Sequence, residues 1–122
     1  MSSPFSLGIS KEIVTRFMKL LGENSQLASD YFSNDATIDW DSNKVTGKFK
    51  IFDFLKEIPL FTHTIIEFDC QTVADIPCFT IVTSDGYLDM SGSPNRYHAT
   101  FMVKLADDER TAHITYFALS FV

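Results

Sequence analysis

The chain has 122 residues, of which 45% are hydrophobic and 21% charged, and its net charge is −6. This size and composition are typical of one globular domain with a single hydrophobic core. Strong nucleic-acid binders cluster Lys and Arg on one surface, whereas the ten basic residues here are scattered among sixteen acidic ones. Direct nucleic-acid binding is therefore not expected. No segment has the ~20 apolar residues of a membrane span, and the first residues lack the pattern of a signal peptide.

Two helices are predicted before the first strand. Residues 1–9 are expected to form an N-terminal arm, and Ser10 is a favourable N-cap for a helix that ends at Gly22, a typical C′ glycine. Its apolar residues follow helical spacing and are Ile13, Val14, Phe17, Leu20 and Leu21. A shorter helix is predicted for Ser25–Phe32.

A strand and a third helix follow. The alternation of Ala36–Trp40 predicts a strand, and Asp41–Asn43 has the composition of a turn. The third helix is predicted to run from Lys48 to Ile58, before Pro59. Its core-facing stripe is expected to consist of Phe49, Phe52 and Leu55, with Phe54 as the more exposed aromatic residue.

The second half of the chain changes to the two-residue period of strands. Four strands are predicted: Thr62–Thr72, Phe79–Met90, Arg96–Leu105 and Ala112–Val122. A bulge or bend is expected at Asp85-Gly86 within the second of them. Ser91–Asn95 is expected to be a loop and Asp107–Glu109 a solvated hairpin turn. Helices at the front and consecutive strands at the end indicate an α+β domain, in which three helices cover one face of a bent antiparallel sheet.

Alternation along the last strands divides their residues between the two faces of that sheet. The more apolar set is expected to face the helices and consists of Leu88, Met90, Tyr97, Ala99, Phe101, Val103, Phe117, Leu119 and Phe121. The other set mixes aromatic, Met and small polar residues and consists of Tyr87, Asp89, His98, Thr100, Met102, Tyr116, Ala118 and Ser120. Because such a composition is typical of protein interfaces, these eight are candidate partner-interface residues, with Tyr87 and Tyr116 as aromatic anchors.

The order of elements and several short motifs resemble the nuclear transport factor 2 superfamily. The run Ile38–Gly47 looks like its strand ending in Trp, tight turn and Gly-capped helix. Asp69-Cys70-Gln71, Gly86 and the Tyr97-x-Ala99-x-Phe101 pattern also lie at the spacing of that family. The resemblance covers Ser10–Val122 and implies one cone-shaped domain over residues 1–122, lined by Trp40, Phe52, Leu55, Phe68, Phe101 and Leu119.

Within the superfamily, Trp40–Gly47 and Asp69–Gln71 most resemble the small cofactors of mRNA export. This implies a non-catalytic subunit that heterodimerises with the matching domain of a large mRNA export receptor, contacts nucleoporins indirectly through it, and occurs in nucleus and cytoplasm and at the nuclear pore. Two positions depart from the family. Ser120 stands where export cofactors have an Arg that pairs with the large subunit. The loop Ser91–Pro94 has no acid beyond Asp89, whereas homodimeric carriers of Ran-GDP use acidic residues there.

The same fold also hosts isomerases and dehydratases, whose chemistry needs a carboxylate or His in an apolar pocket. The candidates are Tyr31, Asp39, His63, Asp69, Tyr97 and His98. Asp39 alternates with Trp40, so both cannot line the cone, and no acid pair or acid–His pair is predicted to converge. Cys70 and Cys78 lack metal-site spacing and are expected to be reduced thiols. We therefore expect no catalytic residue, cofactor or metal, with a homodimeric carrier and a cone-pocket enzyme or binder as alternatives.

Overall fold

The computed structural model describes residues 4–73, 76–106 and 111–122. Its elements are helix α1 (Pro4–Glu23), a 3₁₀ helix (Ser25–Tyr31), strands β1 (Phe32–Trp40) and β2 (Asn43–Thr46), helix α2 (Lys48–Leu55), and strands β3 (Thr62–Val73), β4 (Ile76–Met90), β5 (Ser93–Leu105) and β6 (Ala112–Phe121). None of the helices in these ranges is long and apolar enough to cross a membrane.

The strands form one six-stranded sheet in the order β2-β1-β6-β5-β4-β3. The neighbours pair antiparallel except β1 and β6, which are parallel. The predicted α+β arrangement is confirmed, but the sheet is mixed rather than purely antiparallel. Most of the chain separates β1 from β6, so no hairpin constrains their direction.

Aromatic rings fill the space between the helices and the sheet. The fully buried ring of Phe17 on α1 makes edge contacts with Phe32 at 5.3 Å, Phe117 at 5.2 Å and Phe101 at 5.9 Å between centroids. Phe101 and Phe117 stack at 4.7 Å. Such pairs add to the stabilisation that burial alone gives, so α1 is fixed on the sheet by a continuous aromatic cluster.

Helix α1 starts earlier and ends for a different reason than predicted. It begins at Pro4, so Ser10 is not an N-cap; it is buried inside the helix, and its hydroxyl accepts a hydrogen bond from Thr80 Oγ1 at 2.6 Å. Gly22 belongs to the helix and lies against Phe61, whose carbonyl oxygen would be 2.3 Å from a Cβ at this position. Gly22 thus allows a close approach of two backbones instead of capping the helix.

Tight turns extend several strands beyond their predicted ends. Asp41 and Ser42 have φ of 48° and 77°, and Ser91 and Gly92 have φ of 58° and 80°, as in two-residue hairpin turns. The first turn produces β2, which was not predicted, and the second shortens the predicted loop of residues 91–95. The predicted hairpin turn at 107–109 lies outside the described residues.

The irregularity predicted at Asp85-Gly86 lies on the neighbouring strand. Ile65 pairs with Gly86 and Glu67 with Asp85, so Ile66 is the extra residue of a bulge in β3. A Cβ on Gly86 would be 1.9 Å from the carbonyl oxygen of Thr64. The glycine is therefore required where the bulged strand approaches β4.

Helix α2 buries a different side from the one predicted. Ile51 and Leu55 are fully buried and Phe54 packs against the core, whereas Phe49 is 91% and Phe52 43% exposed. The predicted stripe, the cone-lining role of Phe52 and the exposure of Phe54 are therefore wrong. Ile51, Leu55 and the following Ile58 are spaced i, i+4, i+7, and they decide which side of the helix faces the core. The other predicted lining residues are buried, or half-buried for Phe68: Trp40, Leu55, Phe68, Phe101 and Leu119.

Candidate partner interface on the outer sheet face

The face of the sheet turned away from the helices, called the outer sheet face below, contains all eight predicted interface residues. Four are exposed, namely Tyr87, Asp89, His98 and Ser120, and four are half-buried, namely Thr100, Met102, Tyr116 and Ala118. The residues that alternate with them are buried, or half-buried for Met90 and Phe121. The predicted division between the two faces is therefore confirmed for β5 and β6.

Strand register gives the outer sheet face an uncharged centre. Two cross-strand rows run over β4, β5 and β6; they are Thr83–Thr100–Ala118 and Ile81–Met102–Tyr116. All six residues are half-buried, and none of the described helices packs over them. Side chains paired across strands lie about 4.5–5.5 Å apart, so they form one continuous patch of methyl, thioether and aromatic surface.

Charged groups surround this centre. His98 Nδ1 and Asp85 Oδ1 lie 2.8 Å apart in a hydrogen bond, and Lys104 Nζ lies 5.8 Å from the centre of the Phe79 ring. The row through Thr100 reaches Asp69 on β3 in one direction, and in the other it continues through Asp39 on β1 to Lys44 on β2. An uncharged centre inside a polar rim is the usual arrangement of a protein interface.

Part of this face was not predicted from the sequence. Ile81, Thr83 and Asp85 have the same parity as Tyr87 along β4, and their burial alternates without interruption. The bend expected at Asp85-Gly86 would change which residues face outward, so the sequence assigned a face only from Tyr87 onward. Because the register shift belongs to β3, alternation could have been continued through Gly86 and would have identified these residues.

Two buried hydroxyl pairs lie on the inner side of the sheet. Ser84 Oγ and the Tyr97 hydroxyl share a hydrogen bond of 2.8 Å, and Thr80 bonds Ser10. Burial raises the pKa of Tyr97, while the hydrogen bond from Ser84 acts in the opposite direction. In the described part of the chain every buried side-chain nitrogen or oxygen has a hydrogen-bond partner. The hydroxyls of each pair therefore satisfy one another's hydrogen bonding.

The six residues considered for catalysis are distributed over both faces. Asp39, Asp69 and His98 are on the outer sheet face, where Gln71 Nε2 donates to Asp69 Oδ2 at 3.0 Å. Tyr97 is fully buried on the inner side. The ring of Tyr31 packs edge-on against that of Phe17, with 6.1 Å between the ring centroids. His63 is half-buried, and this burial lowers its pKa. Within the described ranges, no three His, Cys, Asp or Glu side chains are grouped to hold a metal ion.

A cleft of about 570 Å³ lies at one end of the sheet, beside the turn between β4 and β5. It is lined by Gly22, Glu23, Leu60, Phe61, Thr62, Asp89 and Gly92. The predicted interface residue Asp89 thus also faces a second concave surface. Glu23, at the end of α1, lines the same cleft. Because it is far from Asp89 in the sequence, the sequence alone did not indicate that the two acids line one surface.

Comparisons with known proteins agree with this architecture. A family model described as the nuclear transport factor 2 domain matches residues 9–118, and no curated protein matches the sequence significantly. The solved structure of nuclear transport factor 2 from Cryptosporidium parvum superposes with a TM-score of 0.86 at 15% identity, covering 98% of this chain and 97% of that one.

Two solved yeast structures are also similar. The UBP3-associated protein BRE5 has a TM-score of 0.82 at 16% identity, covering 93% of this chain and 94% of that one. A structure described as the yeast deubiquitinase Ubp3 and Bre5 cofactor complex has a TM-score of 0.81 at 14% identity, covering 94% and 96%. At these identities the likeness shows the cone-shaped fold alone.

Proposed function

The chain belongs to the nuclear transport factor 2 domain family, and on this premise we propose that it is a non-catalytic, partner-binding subunit that pairs through its outer sheet face. The observation that carries the proposal is the uncharged centre of that face, where Thr100, Met102, Tyr116 and Ala118 are covered by none of the helices within the described ranges. A stable interface buries on the order of 800 Å² on each side, an area that a face of several long strands can supply.

The partner we propose is the matching domain of a large mRNA export receptor. The support is the resemblance of Trp40–Gly47 and Asp69–Gln71 to the small export cofactors, together with a structural neighbour described as a complex of a deubiquitinase and its cofactor. Contacts with nucleoporins would then belong to the receptor. The pair would work in nucleus and cytoplasm and at the nuclear pore.

Ser120 makes the pairing of this chain differ from the family pattern. Without the Arg of the export cofactors, no cation at this position can meet an acid of the receptor. Ser120 is paired in register with His98, which is itself bonded to Asp85. Affinity would therefore come from the uncharged centre, which contains Tyr116, and from Tyr87 on the same face, since buried aromatic anchors often dominate an interface.

A homodimeric carrier is the second candidate, favoured by the cleft that brings Glu23 and Asp89 together. Two acids in one concave surface suit a basic group of a cargo protein. An enzyme that uses the cone has less support. The rings of Phe17, Phe101 and Phe117 occupy the inner space, and the titratable candidates lie on different faces.

Tagged purification from the native cell, with partners identified by mass, tests the proposal. One large protein with RNA-binding modules and a second domain of this fold, recovered at a one-to-one ratio, is the expected result. Recovery of the chain only with itself would contradict the heterodimer and favour the carrier or the enzyme. Cargo binding and small-molecule binding would then separate those two.

A further inference from the structure

Helix α2 exposes two phenylalanine rings on the helical side of the domain, opposite the outer sheet face. Phe49 is 91% and Phe52 43% exposed, and they are three residues apart on one side of the helix. A single exposed apolar side chain is ordinary, but neighbouring ones beside a concavity indicate a binding surface. The core does not need these rings, because Ile51 and Leu55 hold the helix on the sheet.

A groove of about 460 Å³ runs beside both rings. It is lined by Ser29, Asp30, Asn34, Lys48, Phe49 and Phe52. Its walls are fixed to each other: Ser25 Oγ donates to the Leu55 carbonyl oxygen at 2.6 Å, and Gln26 Nε2 donates to the Phe52 carbonyl oxygen at 3.4 Å. These bonds connect the 3₁₀ helix to α2, and the volume of the groove between them lies within the ~300–1,000 Å³ range of ligand pockets.

Charges of both signs stand around the groove, with two lysines beside Phe52, Asp30 on the opposite wall and Asp53 one turn after Phe49. Lys48 and Lys56 stand four residues before and after Phe52, so they share its side of the helix. The ion pairs within the described residues are those of Arg16 with Glu12 and His98 with Asp85, and neither lysine takes part in one. On a chain of net charge −6, this is a local pair of cations around an apolar centre.

We propose that this groove docks an acidic peptide segment of a partner protein, which places an aromatic or large aliphatic side chain against Phe49 and Phe52. Carboxylates of the segment pair with Lys48 and Lys56, and its backbone N–H groups bond the Asp30 carboxylate on the opposite wall. A nucleic acid or an anionic membrane fits less well. Nucleic acids are bound by many clustered cations, whereas two lysines flank these rings, and a groove suits an inserted side chain better than a flat bilayer.

Selection from a random peptide library displayed on phage, with the full chain as bait, tests the proposal. We expect selected peptides to combine acidic residues with a central aromatic or aliphatic one. Their affinity should fall at least about tenfold in Phe49→Ala and in Lys48→Glu. Because Phe49 is almost fully exposed, Phe49→Ala leaves the fold intact. Leu60→Ala, which removes another exposed apolar side chain, is the matched control and keeps the affinity.

Three results would overturn the proposal. One is a selection that yields no binder. Another is a set of peptides without acidic residues, or of peptides whose binding is unchanged in Phe49→Ala. The third is binding of poly(U) RNA or of phosphatidylserine vesicles that Phe49→Ala abolishes, which would assign the groove to a nucleic acid or a membrane. Pairing through the outer sheet face is measured separately, so neither proposal depends on the other.

Discussion

Ala118 is the residue on which the proposed interface can be tested most directly. It lies between Thr100 on β5 and Asp39 on β1, and its methyl group belongs to the uncharged centre. In Ala118→Glu, pairing would bury an unpaired carboxylate, at a cost of about 3–5 kcal/mol. We therefore expect affinity for the partner to fall by at least about 100-fold, as measured by isothermal titration calorimetry.

Charge and size must be separated at this position. Ala118→Gln has the same length without the charge and should retain more of the affinity than Ala118→Glu. The Ala118→Glu variant without its partner should lose about 1 kcal/mol of stability. The loss is expected because the introduced carboxylate would face the like-charged Asp39 on the neighbouring strand. If circular dichroism shows a folded Glu variant that still pairs at full affinity, the interface lies elsewhere.

His63 gives the fold a pH dependence whose sign follows from its burial. Burial lowers its pKa below the usual value of 6.5, so between the two pKa values the unfolded chain binds more protons than the folded one. The free energy of unfolding should therefore decrease as pH falls below 6.5. His63→Gln should flatten this decrease in urea titrations from pH 7.5 to 5. Equal slopes for the two proteins would refute the assignment.

At the scale of elements, two glycines of helix α1 predict opposite effects of the same substitution. A Cβ on Gly22 would be 2.3 Å from the Phe61 carbonyl oxygen, while a Cβ on Gly8 meets nothing within 4 Å. Helix propensity alone favours Ala over Gly by about 1 kcal/mol. We expect Gly8→Ala to stabilise the chain by about 0.5–1 kcal/mol and Gly22→Ala to destabilise it by about 1–3 kcal/mol through overpacking.

Thermal or urea unfolding of the two variants measures this difference. If Gly22→Ala were as stable as Gly8→Ala, the contact of α1 with the segment before β3 would be looser than described.

The elements that the sequence predicted well are those whose period repeats over many residues. β5 alternates along most of its length, and β6 alternates regularly from Tyr116 to Phe121, so the inner and outer faces of these stretches could be assigned. Helix α2 has only eight residues, and Phe49, Ile51, Phe52, Phe54 and Leu55 point around most of its circumference, so propensity and period could not select the buried side. The parallel pairing of β1 with β6 depends on contacts between distant residues, which local patterns do not contain.

The candidate site was predictable to the same extent. Tyr87, His98, Met102 and Tyr116 were found because each lies on a long, regularly alternating strand. Ile81 and Thr83 were missed because Gly86 was taken as an interruption of β4. The cleft of Glu23 with Asp89 and the groove at Phe49 require α1 and α2 to be placed on the sheet, and only tertiary packing supplies that placement.

At the scale of the molecule, the sheet separates two surfaces. The outer sheet face carries Ala118, and the α2 groove lies on the side where α2 packs over β1. An aromatic core lies between them, with the ring centroids of Phe101 and Phe117 4.7 Å apart, and close-packed rings resist rearrangement. Coupling between two sites needs an element with two alternative arrangements, so the two surfaces should bind independently.

We expect a selected acidic peptide to bind the free chain and the paired chain with affinities that agree within about twofold, because distant sites without shared partners are additive to about 0.5 kcal/mol. Calorimetric titration of the peptide into Ala118→Glu, wild-type chain and purified pair measures this. Phe49→Ala should likewise change the affinity of the chain for its pairing partner by no more than about twofold. A peptide affinity that falls more than about tenfold on pairing would mean that the partner reaches around the sheet edge to α2 or reshapes the groove, and the chain could then hold only one of its two partners at a time.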